Sequence, residues 1–282
     1  MIKIAAIKEK DQGESRISIT PSIASSFVNI GHEVYLEKDI GLSCSYSDDE
    51  YIKAGAKISK VPLEILRDAD LILKVKATPI NEKISEIELC KKNAIIVGLL
   101  SPYTNIEYIK QACKKHLTTI AMELVPRTSK AQSIDALSSQ SNLAGYRAVI
   151  EAAAHYTRVI PMLMTAAGTI TPAKVLVIGT GVACLQAFAT AKRIGASVAA
   201  FDVREAAAEQ VKSLGAKFIY PDTSFKYLES IDGYAKEASE DFAKIQHEFL
   251  CNIARKFDII ITTAQIPGRK APKIFTKEIL ET

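Results

Sequence analysis

"KVLVIGTGVACLQAFATAKRIGASVAAFDVRE", residues 174–205, decides how this chain folds. It opens on an apolar run of strand length, Lys174–Gly179, and closes on a second one, Ser197–Asp202, with an Ala-rich helical segment between them. Strand, turn, helix and strand in so short a span make a crossover unit with parallel strands. Gly179 permits a tight turn, and Gly181 lets backbone approach a pyrophosphate at the helix N-terminus. Asp202 follows roughly 20 residues on, where a carboxylate accepts hydrogen bonds from ribose hydroxyls. The third position of the pattern is Cys184 instead of a small Gly or Ala, which predicts slightly wider packing of helix on strand. A carboxylate at Asp202 repels a 2′-phosphate and favours NAD(H) over NADP(H), while Arg204 two residues later is the opposing signal.

The same alternation runs outward in both directions. Upstream, strands are expected at Ile2–Ile7, Glu33–Leu36, Leu71–Val75, Ala94–Leu99 and Thr119–Leu124, with helices at Pro21–Ile30, Ser47–Ala54, Val61–Asp68 and Ile106–His116. Downstream, strands are expected at Lys217–Tyr220 and Asp258–Ala264. Near-continuous apolar strands alternating with helices predict α/β architecture, with parallel sheets covered on both faces. The expected organisation is two Rossmann-like, doubly wound domains, residues 1–134 and 135–282, with a cleft between them, a preferred place for ligands.

At the junction lies "RTSKAQSIDALSSQSNLAGYRAVIEAAAHY", residues 127–156, whose last two-thirds read as a long helix. At 3.6 residues per turn, Asp135, Ser138, Ser139, Asn142 and Tyr146 share one side. A solvated face is one reading. Such faces usually carry Lys and Glu, however, and this one carries short hydrogen-bonding groups suited to a defined polar ligand. After Tyr220 comes an insertion of about thirty residues, long for a connection, with Gly233 beside Tyr234 and an amphipathic helix from Ser239 onward. It reads either as a surface loop or as a lid over the nucleotide.

Composition excludes several classes. The 282 residues are 48% hydrophobic and 24% charged with net charge +4, an ordinary globular balance without the long basic runs of a nucleic-acid binder. Val159–Ala167 and Val175–Ile178 are too short to cross a bilayer, and "MIKIAAIKEK" is strand-like and quickly charged, unlike a secretory signal. Cys44, Cys90, Cys113, Cys184 and Cys251 are odd in number and widely spaced, predicting reduced intracellular thiols and no zinc site.

Further motifs are "KEKDQGESRISITP" at 8–21, "DLILKVKA" at 70–77, "GYAKEAS" at 233–239 and "IPGRKAPKIF" at 266–275. Together with 127–149, 179–196 and "DVR" at 202–204, they make the whole chain resemble the soluble NAD(H)-binding domain of the proton-translocating NAD(P) transhydrogenase α subunit. That domain belongs to the alanine dehydrogenase/transhydrogenase superfamily. The resemblance implies an NAD(P)⁺ transhydrogenase component (proton-translocating, Re/Si-specific) that exchanges hydride between NADH and NADP⁺ bound on a partner domain. It implies that Arg127, Gln132, Asp135 and Ser138 position the nicotinamide and its ribose, so that part of the polar stripe faces a ligand. The implied cofactor-binding set is Arg127, Thr128, Ser129, Lys130, Gln132, Gly179, Gly181, Val182, Asp202, Val203, Arg204, Gly233, Tyr234, Ala264 and Gln265. Tyr234 would lie on a closing loop. The implied partners are NADP(H)-binding and membrane-spanning subunits and a second copy of the chain, with no nucleic acid and no direct membrane insertion. The implied location is the cytoplasmic side of the inner membrane. The family's domain continues into a further strand, so the chain reads as C-terminally shortened. The family pattern also has Gly at the position of Cys184 and Met at that of Ala238.

Two alternatives stand beside this. An alanine dehydrogenase shares Arg16 and Lys74, but amino-acid oxidation needs a proton acceptor. The His that follows the equivalent strand in those enzymes is missing from "VGLLSPY", residues 97–103. Arg16 and Lys74 are then an idle pair or surface charges, and His32, His116, His155 and His247 read as structural or exposed. The other alternative is a nucleotide-binding remnant without activity.

Overall fold

The computed structural model describes residues 1–78, 86–202, 207–213, 215, 217–219, 240–263, 271 and 273–280. The chain divides into two compact units, Met1–Ala136 and Leu137–Thr282.

The first unit is built on six strands, β1 Lys3–Ala6, β2 Glu33–Glu37, β3 Lys57–Ser59, β4 Leu71–Lys76, β5 Ile95–Leu99 and β6 Thr118–Ala121. All pair in parallel, in the order β3-β2-β1-β4-β5-β6. The period-2 alternation of each strand sends its side chains to two faces. Ala5, Ile72 and Ile96 enter one core with Leu66, Leu100 and Tyr108. Ile4, Ala6, Val34 and Leu36 enter the other with Ile19, Ala24 and Tyr51. Five helices cover these faces, α1 Pro21–Asn29, α2 Asp48–Lys53, α3 Pro62–Asp68, α4 Glu86–Leu89 and α5 Ile106–Lys114. Their starts are encoded locally. The Thr20 hydroxyl accepts from the Ile23 amide with Pro21 opening α1, and Ser47 and Glu50 cap each other's backbone at α2.

The second unit opens with α6, Ala136–His155, and a hairpin of β7 Leu163–Thr165 with β8 Gly168–Ile170. Next come β9 Lys174–Ile178, α7 Val182–Arg193, β10 Ser197–Phe201, α8 Ala207–Ser213, β11 Lys217–Phe218, α9 Glu240–Ala254, β12 Ile259–Thr262 and α10 Lys277–Leu280. The sheet order is β11-β10-β9-β12, again parallel. Val175 and Val177 pack with Val149, Phe188 and Ala191, while Leu176 and Ile178 pack with Phe201, Leu250 and Ile253. Both sheets are therefore doubly wound, as the sequence pattern predicts.

Several expectations need correction. The strand expected over Thr119–Leu124 ends at Ala121, because Met122–Leu124 closes into a 3-10 turn. The short strand β3, helix α4 and the β7–β8 hairpin carry too little periodic pattern to be seen in sequence. Asp135 does not ride on the long helix. Its ψ of 81° caps a 3-10 segment, Ser129–Ile134, so the helical stripe starts only after it. Asn142 of that stripe donates to Gln186 Oε1 at 3.3 Å on α7, and the buried Gly145 and Val149 lie on the same flank. A Cβ on Gly145 would collide with the Ala183 carbonyl oxygen. That flank is small and polar because two helices approach closely there, whereas Ser139 and Tyr146 on the other flank are exposed.

Candidate functional site

The nucleotide-type turn of the second unit follows from its local geometry. Gly179 leaves β9 at φ +104°, a conformation that side chains with a Cβ avoid, and its amide donates to the Phe201 carbonyl at 2.7 Å. Gly181 is the N-cap of α7 at φ −65°, ψ 171°, with no side-chain cap bond, and a Cβ added there would meet nothing within 4 Å. The first amides of α7 thus have no side-chain cap, and backbone is open to a ligand. A helix N-terminus in that state attracts anions through its N–H groups and dipole.

β9 and β10 run side by side with Ile178 opposite Phe201, which brings the residues just beyond them together. Asp202 is buried at that point and accepts a hydrogen bond from Thr180 Oγ1 at 2.8 Å. Cys184, for which the sequence predicts a wider gap between helix and strand, is buried and accommodated by hydrogen bonding. Its Sγ donates to the Ile178 carbonyl at 3.1 Å and lies 2.9 Å from Thr263 Oγ1. Among the expected ligands on this turn, Gly179, Gly181, Val182 and Asp202 gather at the carboxyl end of the sheet. Val203, Arg204, Gly233, Tyr234, Ala264 and Gln265 lie outside the described residues, as does the expected lid around Asp232–Ser239.

In the first unit, Arg127, Thr128, Ser129, Lys130 and Gln132 are all exposed along one short segment. The Ala131 amide donates to the Thr128 carbonyl at 3.0 Å, which fixes the segment's curl. Asp135 and Ser138 are half-buried.

Lys74 is not a surface charge. Its side chain is 2% exposed, and Nζ lies 3.0 Å from Glu86 Oε2 and 3.7 Å from Glu9 Oε2. Thr78 Oγ1 donates to Glu86 at 2.5 Å, and Lys10 Nζ lies 3.4 Å from the other Glu86 oxygen. Glu9 in turn accepts from the Val75 amide at 2.7 Å. Burial raises the Glu9 carboxyl above its ordinary value, against the opposing pull of Lys74. Arg16 Nη2 lies 2.6 Å from Glu14, and this pairing holds Glu14 down at about 2. Sequence reasoning does not single out Glu9, Glu14 or Glu86, because nothing local marks a carboxylate as the partner of a lysine 65 or 12 positions away. It misses Thr180 as well, although a hydroxyl between the two glycines is an available signal.

A nucleotide-type turn on a doubly wound parallel sheet, preceded by a second doubly wound unit, defines a two-domain Rossmann-like α/β protein. Two family models match, alanine dehydrogenase/PNT N-terminal domain over residues 5–144 and alanine dehydrogenase/PNT C-terminal domain over residues 148–282. The chain belongs to the alanine dehydrogenase/PNT family. It is 57% identical over 281 residues to the first of the separately encoded pieces of NAD(P) transhydrogenase subunit alpha in Rickettsia prowazekii (strain Madrid E), spanning 100% of this chain and 73% of that relative. It is 31% identical over 286 residues to alanine dehydrogenase 1 of Staphylococcus aureus (strain Mu50), spanning 99% and 69%. The crystal structure of transhydrogenase from Sinorhizobium meliloti matches with a TM-score of 0.84 at 43% identity, covering 99% of this chain and 74% of that one.

Proposed function

We propose that this chain is the NAD(H)-binding component of a proton-translocating NAD(P) transhydrogenase, taking part in NADH + NADP⁺ ⇌ NAD⁺ + NADPH. The observation that carries the reading is the buried Asp202 carboxylate beside an open glycine turn at the uncapped start of α7. Identity of 57% to a transhydrogenase subunit against 31% to an alanine dehydrogenase supports the same choice. The turn suits a pyrophosphate, and Asp202 suits ribose hydroxyls while repelling a 2′-phosphate.

The nicotinamide ring supplies the hydride; the chain's residues supply position. Hydride exchange between two nicotinamides needs no acid or base in the chemical step, so orientation to within about 3–3.5 Å of the acceptor carbon suffices. Exposed Arg127, Thr128, Ser129, Lys130 and Gln132, with Asp135 and Ser138, are assigned to holding the nicotinamide and its ribose. Val203, Arg204, Gly233, Tyr234, Ala264 and Gln265 complete the proposed nucleotide set. Against amino-acid oxidation stands Lys74, whose ammonium is occupied by Glu86 and Glu9, and the lack of His in residues 97–103.

The proposed partners are an NADP(H)-binding subunit and a membrane-spanning subunit, which would hold the chain at the cytoplasmic face. No helix among the described residues is long and apolar enough to cross a membrane. A second copy is the proposed cover for the β7–β8 hairpin, whose six residues are all exposed, Met164 at 74%. Titration should show NADH binding tighter than NADPH, and mixing with the partner subunits should produce transhydrogenation. Tighter NADPH binding would overturn the cofactor assignment, and NADH binding without any hydride exchange would leave an inactive remnant. Gln132→Asn retracts an amide by about 1 Å, so hydride transfer should slow about 100-fold by stopped flow while NADH affinity stays within about twofold.

A further inference from the structure

Thr180 stands between the two glycines of the turn and is 4% exposed, against a carboxylate that is 5% exposed. The 2.8 Å bond from its hydroxyl to Asp202 Oδ2 joins residues 22 positions apart, one just past β9 and the other just past β10. An ionised carboxylate only accepts, so the Thr180 proton is committed to it. We propose that Thr180 is the positioning residue of the ribose site, and that its bond sets the NADH-over-NADPH preference by holding the Asp202 carboxylate in its receiving orientation. This rests on the NAD(H) reading given above.

The physical case has three parts. The Asp χ2 torsion is broad and roughly two-fold, so a carboxylate needs a second anchor to present fixed lone pairs. Thr is stiff at χ1, and its backbone is set between a left-handed Gly179 and the Gly181 cap, which makes the hydroxyl a fixed anchor. A carboxylate offers about four acceptor sites, so one bond from Thr180 leaves capacity for a ribose diol. An acceptor oriented before the ligand arrives loses less freedom on binding, and its selectivity for a 2′-hydroxyl sharpens accordingly.

The test titrates the full chain with NADH, NADPH and an NADH carrying 2′-deoxyadenosine, using wild type, Thr180→Val, Thr180→Ala and Thr180→Ser. Thr180→Val keeps the shape and removes the donor; should it not fold, Thr180→Ala gives the same readout. Wild type should lose about tenfold in affinity when the 2′-hydroxyl is removed, the scale of one charge-assisted hydrogen bond. Thr180→Val should lose less than about threefold and show a narrowed NADH/NADPH ratio, with Thr180→Ser restoring both. A wild type blind to the 2′-hydroxyl or preferring NADPH would fail the NAD(H) reading itself. A selective wild type whose selectivity survives in both Thr180→Val and Thr180→Ala would overturn the inference alone, leaving Thr180 as a hydroxyl that only satisfies a buried carboxylate.

Discussion

Both sheets reverse their strand order beside the first strand of the unit, between β1 and β4 in one and between β9 and β12 in the other. Such a reversal opens a crevice at the carboxyl ends of the strands, where doubly wound proteins bind their ligands. In the first unit that place is filled from within: Glu9 follows β1, Lys74 lies on β4, and Glu86 reaches across from α4. In the second unit it is left as bare backbone, with Gly179, Gly181 and the amides of α7. One strand order thus supports a closed electrostatic clasp and an open anion cradle. The difference lies in side-chain chemistry at a handful of positions, not in topology.

Removing the clasp should have the largest effect. Lys74→Met strands two buried carboxylates and should cost about 3–5 kcal/mol in urea unfolding, with NADH affinity unchanged within about twofold. A loss of NADH binding in a folded Lys74→Met protein would break the separation of the two sites. Next is Gly145→Ala, whose Cβ must displace a backbone carbonyl of α7 and should destabilise the second unit by about 3 kcal/mol. A cost below about 0.5 kcal/mol would show that α6 and α7 have room to part. Gly179→Ala puts a Cβ at φ +104° and 3.0 Å from Cys184 Sγ. It should cost about 1–3 kcal/mol and weaken NADH binding, which would sharpen the contrast with Lys74→Met.

The smallest effect is on acid stability. Glu14 is depressed to about 2, chiefly by its hydrogen bond from Arg16, so its contribution is complete above the ordinary carboxylate value of 4.5 and is lost as pH falls toward 2. Arg16 is partly solvated, which screens the pair, so about 1 kcal/mol is expected. Glu9 acts oppositely. Its raised value means that ionisation in the fold costs stability as pH rises past 4.5, a cost relieved by acid. Glu14→Gln should therefore flatten the fall in stability between pH 4.5 and 2, measured as unfolding free energy against pH; an unchanged slope would remove Glu14 as its source.

The parallel sheets were legible because buried strands write themselves as short apolar runs, and helix starts such as Thr20-Pro21 and Ser47–Glu50 use local chemistry. The glycine turn and its distant acid were legible for the same reason: Gly179, Gly181 and Asp202 hold a spacing that one crossover imposes. Lys74 misled because a lysine in a strand says nothing of what faces it until β1, β4 and α4 are assembled. Asn142 misled in the other direction. A short polar side chain suits a ligand and a close helix contact equally, and only the approach of α7 separates them.

The sequence by itself determined the alternation of strands and helices, the doubly wound class and the backbone freedom of the nucleotide turn, since each rests on periodicity or on what a residue type permits within its own segment. The tertiary structure decided which charges are clasped, which flank of α6 packs, and that Thr180 holds Asp202. Those outcomes depend on pairs 12 to 65 residues apart, as in Lys74 with Glu86 and Glu9, that meet only when strands lie side by side. Burial then raises the cost of any unmatched polar group, and so makes the pairing matter.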